Sequence, residues 1–433
     1  MSRSVVVALL IAWTTAAACT AESRAEPEAE PTRSPSATPA PSSPEPPAEP
    51  EPELVVVSHA TVPQLHLTRA EAGRITSGEI DLWRGFRVVH DRAPTPGSIA
   101  VVPLEEVGPT VVAARVGKRD PVRDHPDAVD VTVVGDVMLV RGVPDPEAAL
   151  APMRERLRAA ELTIGNLEST LSTRGEPTQG GDSFGGSPAL LGPLADSGFD
   201  ALMLANNHVG DYGETALLDT LRAFEKSPIK DFGAGTDHGQ AICPALLEAG
   251  GTTFAFIGFN AIGETPAAGS GQPGALSVRM PPRTGPLVPA DLARVTRAIR
   301  RTAQRADVVV VLPHWGAQYT HTPEPVQRTV SRALVRAGAD LVVGGHPHWV
   351  QGVDDVDGVP VVHSLGNFVF DMDFMEQTME GVLLETTWWG AELKAIRFVP
   401  YRLDPVTFAP RPVPGADILE DLWGSSTGQF AGS

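Results

Sequence analysis

Disulfides cannot carry this fold. The 433-residue chain has two cysteines, Cys19 and Cys243, whereas a bridged scaffold needs a denser set in a much smaller domain. Positive charge is also scarce: 34 Lys and Arg stand against 53 Asp and Glu, for a net charge of -19 at pH 7. No basic stripe interrupts that balance, so the electrostatic footprint of a nucleic-acid binder is absent. Long apolar runs are missing too. The stretch from Val5 to Trp13 falls short of the roughly 20 residues that a membrane span requires. No internal repeat is visible, which removes solenoids and propellers.

What is present is a recurring arrangement. An apolar, β-branched run of strand length is followed at once by an oxygen or imidazole donor. VDVTVVGD ends in Asp136, ELTIGNLE in Glu168, DALMLANNH in Asn207 and His208, DVVVVLPHWG carries His314, and LVVGGHPH ends in His346 and His348. Taken alone, His346-Pro347-His348 reads equally well as two partly exposed loop histidines. The repetition changes that reading. Continuous apolar runs suit strands covered by helices on both faces, and in such sheets ligands gather beyond the carboxyl ends of the strands. The donors are therefore expected to converge, and neutral imidazoles beside carboxylates suit Zn, Mn or Fe.

Helix-period segments alternate with these runs. Leu150, Met153, Leu157 and Ala160 form one stripe; Leu217, Leu221 and Phe224 a second; Leu292, Val295, Ile299 and Ala303 a third. From Glu324 to Ala337, the residues Val326, Val330, Ala333 and Ala337 share a face, and Gly338 follows where a helix C-terminus favours glycine. The alternation predicts a layered α/β sandwich. Donors spread through about half the chain exclude a compact zinc finger.

The motifs GDVMLVR (135–141), GNLEST (165–170), LANNHVGDYGETALLDTL (204–221), FGAG (232–235), PHWGAQY (313–319), GADLVVGGHPHWVQG (338–352) and HSLGNFVFD (363–371) resemble those of the CapA family. That family belongs to capsule and poly-γ-glutamate biosynthesis and has the calcineurin-like metallophosphoesterase fold. The resemblance runs from about Val131 to Leu403, in family order, and marks 129–403 as the main domain. It implies Asp136 and Glu168 as carboxylate ligands, Asn207 completing one position, and His314, His346 and His348 as imidazole ligands of one or two divalent ions (Mn, Fe or Zn). His208 would then contact substrate or protonate a leaving oxygen, and Arg141 would neutralise an anionic substrate. A paired metal site would polarise a phosphoryl or carbonyl oxygen and supply hydroxide for attack. Two readings follow: a metal-dependent hydrolase or related transferase acting on a phosphoester or an anionic polymer such as poly-γ-glutamate, or a non-catalytic factor for polymer assembly, export or anchoring. Either could work with other capsule-synthesis proteins.

Four positions depart from the pattern. Met138 stands where the superfamily has the His of Asp-x-His, Gln318 where Glu is frequent, Gly345 where many members carry His, and His363 where Tyr is usual. Plainer roles fall to other polar residues. Asp211 reads as a helix-start or ligand-orienting carboxylate, and Asn367 as a turn residue bonding backbone near the site. His59, His66, His90, His125, His238 and His321 lie outside the strand-end pattern and read as surface or locally hydrogen-bonded.

The N-terminus reads as an export signal. Arg3, the apolar stretch from Val5 to Trp13, and Ala16-Ala17-Ala18-Cys19 form a signal peptide resembling a bacterial lipobox, with Cys19 as the lipidated residue that anchors the chain to the outer face of the membrane. Ala16 replaces the usual Leu, so ordinary cleavage and secretion is the alternative. Residues 20–53 are rich in Pro, Glu, Ala and Ser and should form an extended, solvated spacer. Lipidation of Cys19 would exclude an internal disulfide, and Cys243 reads as a small buried residue. Residues 54–128 form a small accessory α/β region whose LTRAEAGRITSGEIDLWRGF and GSIAVVPLEEVGPTVVAARVGKRDPV resemble pieces of phosphate-type periplasmic substrate-binding domains. The segment is too short for a two-lobed receptor. Residues 404–433 read as a partly ordered packing segment followed by a loose tail.

Overall fold

The computed structural model describes residues 52–431 apart from residue 91. The signal-peptide reading, Cys19 and nearly all of the 20–53 spacer lie outside the described residues. Among the described residues no helix is long and apolar enough to cross a membrane.

Two sheets face one another and are flanked by helices, which makes a four-layer α/β sandwich. The first sheet runs in the order Lys230–Phe232, Ala201–Met203, Leu162–Leu167, Ala128–Val137, Glu380–Trp389, Glu392–Leu403, Pro410–Pro412. Its first four strands are parallel, and the last three pair antiparallel. The second runs Ala245–Ala249, Thr252–Asn260, Val308–His314, Leu341–Val343, Val359–Leu365, Val350–Val356, parallel at its centre and antiparallel at both edges.

The two-residue period of a strand decides where each side chain goes. Val308, Val310 and Leu312 point into the core between the sheets, with Val131, Val133, Ile164, Met203, Val343 and Val362. Val309 and Val311 point outward against Val295, Ile299, Val330 and Leu334 of the helices Pro289–Thr302 and Pro325–Val335. The other sheet covers its outer face with Leu150, Leu157, Leu217, Leu221 and Phe224. Strands buried on both faces explain the uninterrupted apolar runs.

The helix stripes differ from expectation in detail. Pro152 lacks a backbone N–H, and the first helix is correspondingly broken into Pro146–Leu150, a 3-10 turn at Ala151–Met153, and Arg154–Ala159. Ala303 is exposed at the end of its helix. In Pro325–Val335 the buried face is Gln327, Val330, Ser331 and Leu334, rotated from the one expected. Gln327 is drawn inward because its side chain closes a capping box with Glu324 and donates to Gln351 at 3.2 Å. Gly338 follows in left-handed backbone at φ 103°.

The accessory region is a five-stranded sheet, Leu82–Trp83, Phe86–Val89, Ser98–Pro103, Leu54–His59, Val111–Ala113, with the helix Arg69–Thr76 against one face. Its other face meets Trp389, whose indole N–H donates to Val122 O at 3.0 Å, so it docks on the edge of the first sheet. No loose tail is seen before Phe430. The helix Ala416–Gly424 buries Ile418 and Leu422 in the inter-sheet core, Ser425 and Ser426 hydroxyls accept from Gly352 and Val353 N–H, and Phe430 is fully buried.

Candidate metal centre

The strand-end donors come together at the carboxyl ends of the parallel strands of both sheets. Asp136 sits at the end of Ala128–Val137, fully buried; its Oδ1 accepts from Asn166 Nδ2 at 2.8 Å and its Oδ2 from the backbone N–H of His346 at 3.0 Å. Glu168 directly follows Leu162–Leu167 and is equally buried, yet neither of its carboxylate oxygens has a hydrogen-bond partner. Burial, and then the neighbouring Asp136 charge, push Glu168 up to about 8. Burial also raises Asp136. Two carboxylates held together out of water are an unfavourable arrangement unless a cation neutralises them.

Three imidazoles close around them. His314 Nε2 lies 3.5 Å from Glu168 Oε1 and 2.8 Å from Asn207 Oδ1. His348 Nδ1 lies 2.9 Å from Asn367 Oδ1, which leaves Nε2 for another partner. Both ring nitrogens of His346 are buried and unpartnered. Burial lowers all three, His314 to about 4, His348 below its usual value and His346 well below it. The rings are therefore neutral, the form a metal takes. Two sets of ligand atoms, Asp136-Glu168-His314 and Glu168-His346-His348, each lie within 4.8 Å of one another, and Glu168 belongs to both. The unpartnered atoms of Glu168 and His346 are the test of fit: oxygen and imidazole donors suited to Mn, Fe or Zn point into the same space with nothing else to satisfy them.

The His346-Pro347-His348 corner is conformationally unusual. His346 has φ 93° and His348 φ 60°, in the left-handed region that side-chain-bearing residues seldom occupy. Gly345 makes room for it, since a Cβ there would lie 2.6 Å from Asp136 Oδ1. Gly135 does the same for the strand, where a Cβ would meet Gly366 O at 2.0 Å.

His208 Nδ1 lies 2.7 Å from Asp211 Oδ2, which also accepts from Phe184 N–H at 2.7 Å. That contact places the proton on Nδ1 in the neutral ring and turns Nε2 toward Glu168 Oε1, 3.8 Å away. Burial alone would lower His208, but the Asp211 bond and the Glu168 charge outweigh it and raise the value. Asp211 thus orients His208; the N-cap position of the helix Gly213–Phe224 is Tyr212, whose side chain makes no capping bond. Asn367 is no turn residue. It lies in a short strand, Asn367–Val369, beside Ala128–Val137, where its Nδ2 donates to Thr378 O while its Oδ1 faces His348.

Arg141 is not among the groups that meet at the donors. Its guanidinium is paired with Asp371 and lies 4.2 Å from the Phe184 ring, the same ring on which His208 stacks at 3.8 Å. Two groups at those distances cannot share one face, so Phe184 separates Arg141 from His208. Cys243 is half-buried rather than buried, with its Sγ donating to Gly239 O at 3.2 Å.

Sequence reasoning missed four residues here. Asn166 braces Asp136. Asn206 donates to Asn166 Oδ1 and Leu167 O and accepts from His208 and Val209 N–H, so it fixes the turn that presents Asn207 and His208. Glu264 accepts from Asn207 Nδ2 at 2.9 Å and pairs with Arg283. The two asparagines stood inside quoted motifs; Glu264 and Arg283 carried no signal.

The family profile described as "Bacterial capsule synthesis protein PGA_cap" matches residues 130–372. The chain belongs to this family. The PGA_cap match spans every residue of the cluster just described and stops before the strand pair Glu380–Leu403; the accessory region precedes it. Similar proteins include the "PGA biosynthesis protein CapA" of Bacillus subtilis (strain 168), 31% identical over 271 residues, covering 60% of this chain and 67% of that one. The "Capsule biosynthesis protein CapA" of Bacillus anthracis is 29% identical over 270 residues, covering 60% and 64%. The match therefore spans about two thirds of the length of these relatives. Among solved structures, a hypothetical protein from Thermus thermophilus aligns over 63% of this chain and 99% of its own, with 16% identity and a TM-score of 0.41.

Proposed function

We propose that this PGA_cap protein serves capsule or poly-γ-glutamate biosynthesis as a metal-dependent hydrolase of phosphoesterase type, acting on a phosphoester or an anionic polymer. One observation carries the reading: two buried donor triads share Glu168, whose oxygens have no protein partner. Asp136, Glu168, His314 and Asn207 would hold one ion, and Glu168, His346 and His348 a second. Bound there, a divalent cation would polarise the substrate oxygen and acidify a water. His208, kept protonated more readily than an ordinary imidazole and aimed by Asp211, would donate a proton to the leaving oxygen at Nε2. Phe184 stacks on His208 and excludes water from that side.

The names of the CapA relatives support the pathway, not the chemistry. Met138 favours a second reading, non-catalytic assembly, export or anchoring of the polymer. It takes the sequence position of the superfamily's motif His and is fully buried among Phe184, Phe370 and Val140. The place of action is proposed from the sequence alone: the outer face of the membrane, reached through the Arg3 to Cys19 signal and a lipidated Cys19, with secretion as the alternative.

Metal analysis of the purified protein, with a screen of phosphodiesters and anionic polymers, decides between the readings. The hydrolase reading expects retained Mn, Fe or Zn, turnover, and a His208→Ala protein that loses turnover while keeping its metal. Asp136→Ala and His348→Ala should lose metal. Metal-free protein that fully restores polymer production would end the hydrolase reading.

A further inference from the structure

Beside the candidate metal centre stands a tyrosine, half-buried, whose hydroxyl meets no hydrogen-bond partner among the described residues. Tyr319 closes the segment that follows His314, in left-handed backbone at φ 61°. Its N–H donates to Pro347 O at 3.0 Å, inside the His346-Pro347-His348 corner, and this bond holds a conformation that a Cβ disfavours. The ring lies against His348, with centroids 6.2 Å apart and planes 28° apart, and meets Phe374 edge-on at 5.7 Å and Trp349 at 6.5 Å. Tyr401, by contrast, is buried and donates to Asn367 O at 2.8 Å. Tyr319 is half-buried, and among the described residues its hydroxyl has no hydrogen-bond partner.

Two further features mark this wall as a contact surface. Phe374 is 58% and Met375 38% exposed, two adjacent members of the small set of exposed large hydrophobics. The Trp349 indole N–H is buried without a partner. An apolar, ring-lined wall with an accessible, unspent phenol hydroxyl beside a donor triad suits a ligand that is anionic at one end and flat or apolar next to it.

We propose that Tyr319 is a substrate-contacting residue, donating its phenol hydrogen bond to an oxyanion seated at Glu168-His346-His348, and that Phe374 and Trp349 receive the flat or apolar group attached to that oxyanion. The proposal rests on the metal-centre reading above. The oxyanion is that of a phosphoester or a carboxylate, the chemistry the two share.

The test uses the full chain loaded with Mn, its metal content measured first, and calorimetric titration with two matched pairs: methylphosphonate against phenylphosphonate, and acetate against benzoate. The tighter pair identifies the oxyanion. Within it the phenyl member should bind more tightly. Tyr319→Phe, which removes only the hydroxyl, should weaken both members roughly 10-fold or more, as expected for a hydrogen bond to a charged group, with metal content unchanged. Phe374→Ala should erase the phenyl preference and leave the methyl member's affinity as it was. Metal-loaded parent protein that binds neither pair, or Tyr319→Phe protein that binds as the parent does, overturns the proposal and leaves the metal centre standing. A Tyr319→Phe protein that loses metal overturns it as well, because the hydroxyl then serves the centre itself. A parent chain that retains no metal fails the metal-centre reading, a separate readout.

Discussion

Replacing Glu168 with glutamine should change stability with opposite signs in the absence and presence of metal. Glu168 is fully buried, its oxygens are unpartnered, and its pKa rises from an ordinary 4.5 to about 8. In the metal-free protein at pH 7 the folded chain therefore keeps a proton that the unfolded chain has released. At about 1.4 kcal/mol per pH unit, the gap from 4.5 to 7 costs the fold about 3 kcal/mol. The direction follows from the raised value: the penalty is absent below about pH 4.5, grows as pH rises, and levels off near pH 8. Glutamine keeps the shape and carries no titrating proton. Metal-free Glu168→Gln should thus be more stable than its parent by about 3 kcal/mol at pH 7, a gain that disappears near pH 4. Metal reverses the order. At a free metal concentration about 1,000 times Kd the parent gains about 4 kcal/mol, while the variant, having lost the ligand common to both triads, gains little. Urea unfolding in chelator and in excess Mn or Zn, at pH 7 and pH 4.5, reads all of these quantities. A variant that is less stable than the parent in chelator, or one that gains as much from metal as the parent does, would refute the reasoning.

Other perturbations test the scaffold. Asp231 in Lys230–Phe232 is pushed up to about 6 by burial, so its ionisation opposes folding above about pH 4; Asp231→Asn should raise stability by about 1–3 kcal/mol at pH 8 and by nothing near pH 4, measured by denaturant unfolding at both. Glu385 is ion-paired with Arg123, Arg156 and Arg397, which overcome its burial and hold its pKa below the usual 4.5. Glu385→Ala should cost about 2–4 kcal/mol near neutrality, and the difference from the parent should shrink as pH falls below that ordinary value; equal losses at pH 7 and pH 3.5 would contradict the pairing. Gly135→Ala sets a Cβ 2.0 Å from Gly366 O, a backbone contact that cannot yield cheaply, so a loss above about 3 kcal/mol or failure to fold is expected; soluble expression and a melting curve suffice to check it.

The donors were legible because the fold puts them at a fixed place in the local pattern. A strand buried on both faces needs an uninterrupted apolar run, and the residue after it lies at the sheet's carboxyl edge, so Asp136, Glu168 and His314 could be picked out one strand at a time. Partners far along the chain gave no such signal. Nothing near Arg141 in the sequence announces its partner Asp371, 230 positions away, or the Phe184 ring between it and His208. Glu264 lies on a loop with no periodicity to mark it, and its role comes only from meeting Asn207. The tail misled for a different reason. Ser425-Ser426-Thr427 has the composition of a loose end, yet the Ser425 and Ser426 hydroxyls accept the free N–H groups of Gly352 and Val353 along Val350–Val356, and Thr427 donates to Asp354.

The polar network around the cluster is satisfied almost everywhere except at its centre. Asn166, Asn206, Asp211 and Asn260 all find partners, while both oxygens of Glu168 and both nitrogens of His346 find none. The same spot holds left-handed backbone at His346 and His348 and a pair of buried carboxylates. Each of these works against folding, and well-packed apolar side chains in their place would be neutral or stabilising. Stability therefore does not account for the arrangement, whereas a cation that neutralised the carboxylates and took the free imidazoles would. The two triads are not equivalent in this respect. Asp136-Glu168-His314 offers one imidazole, because Met138 is packed among aromatic rings with its sulfur accepting from Val140 N–H at 3.3 Å. Glu168-His346-His348 offers two, and its His346 is the ring with no other partner. On donor chemistry, the half of the site beside the His-Pro-His corner is the one that would hold an ion first.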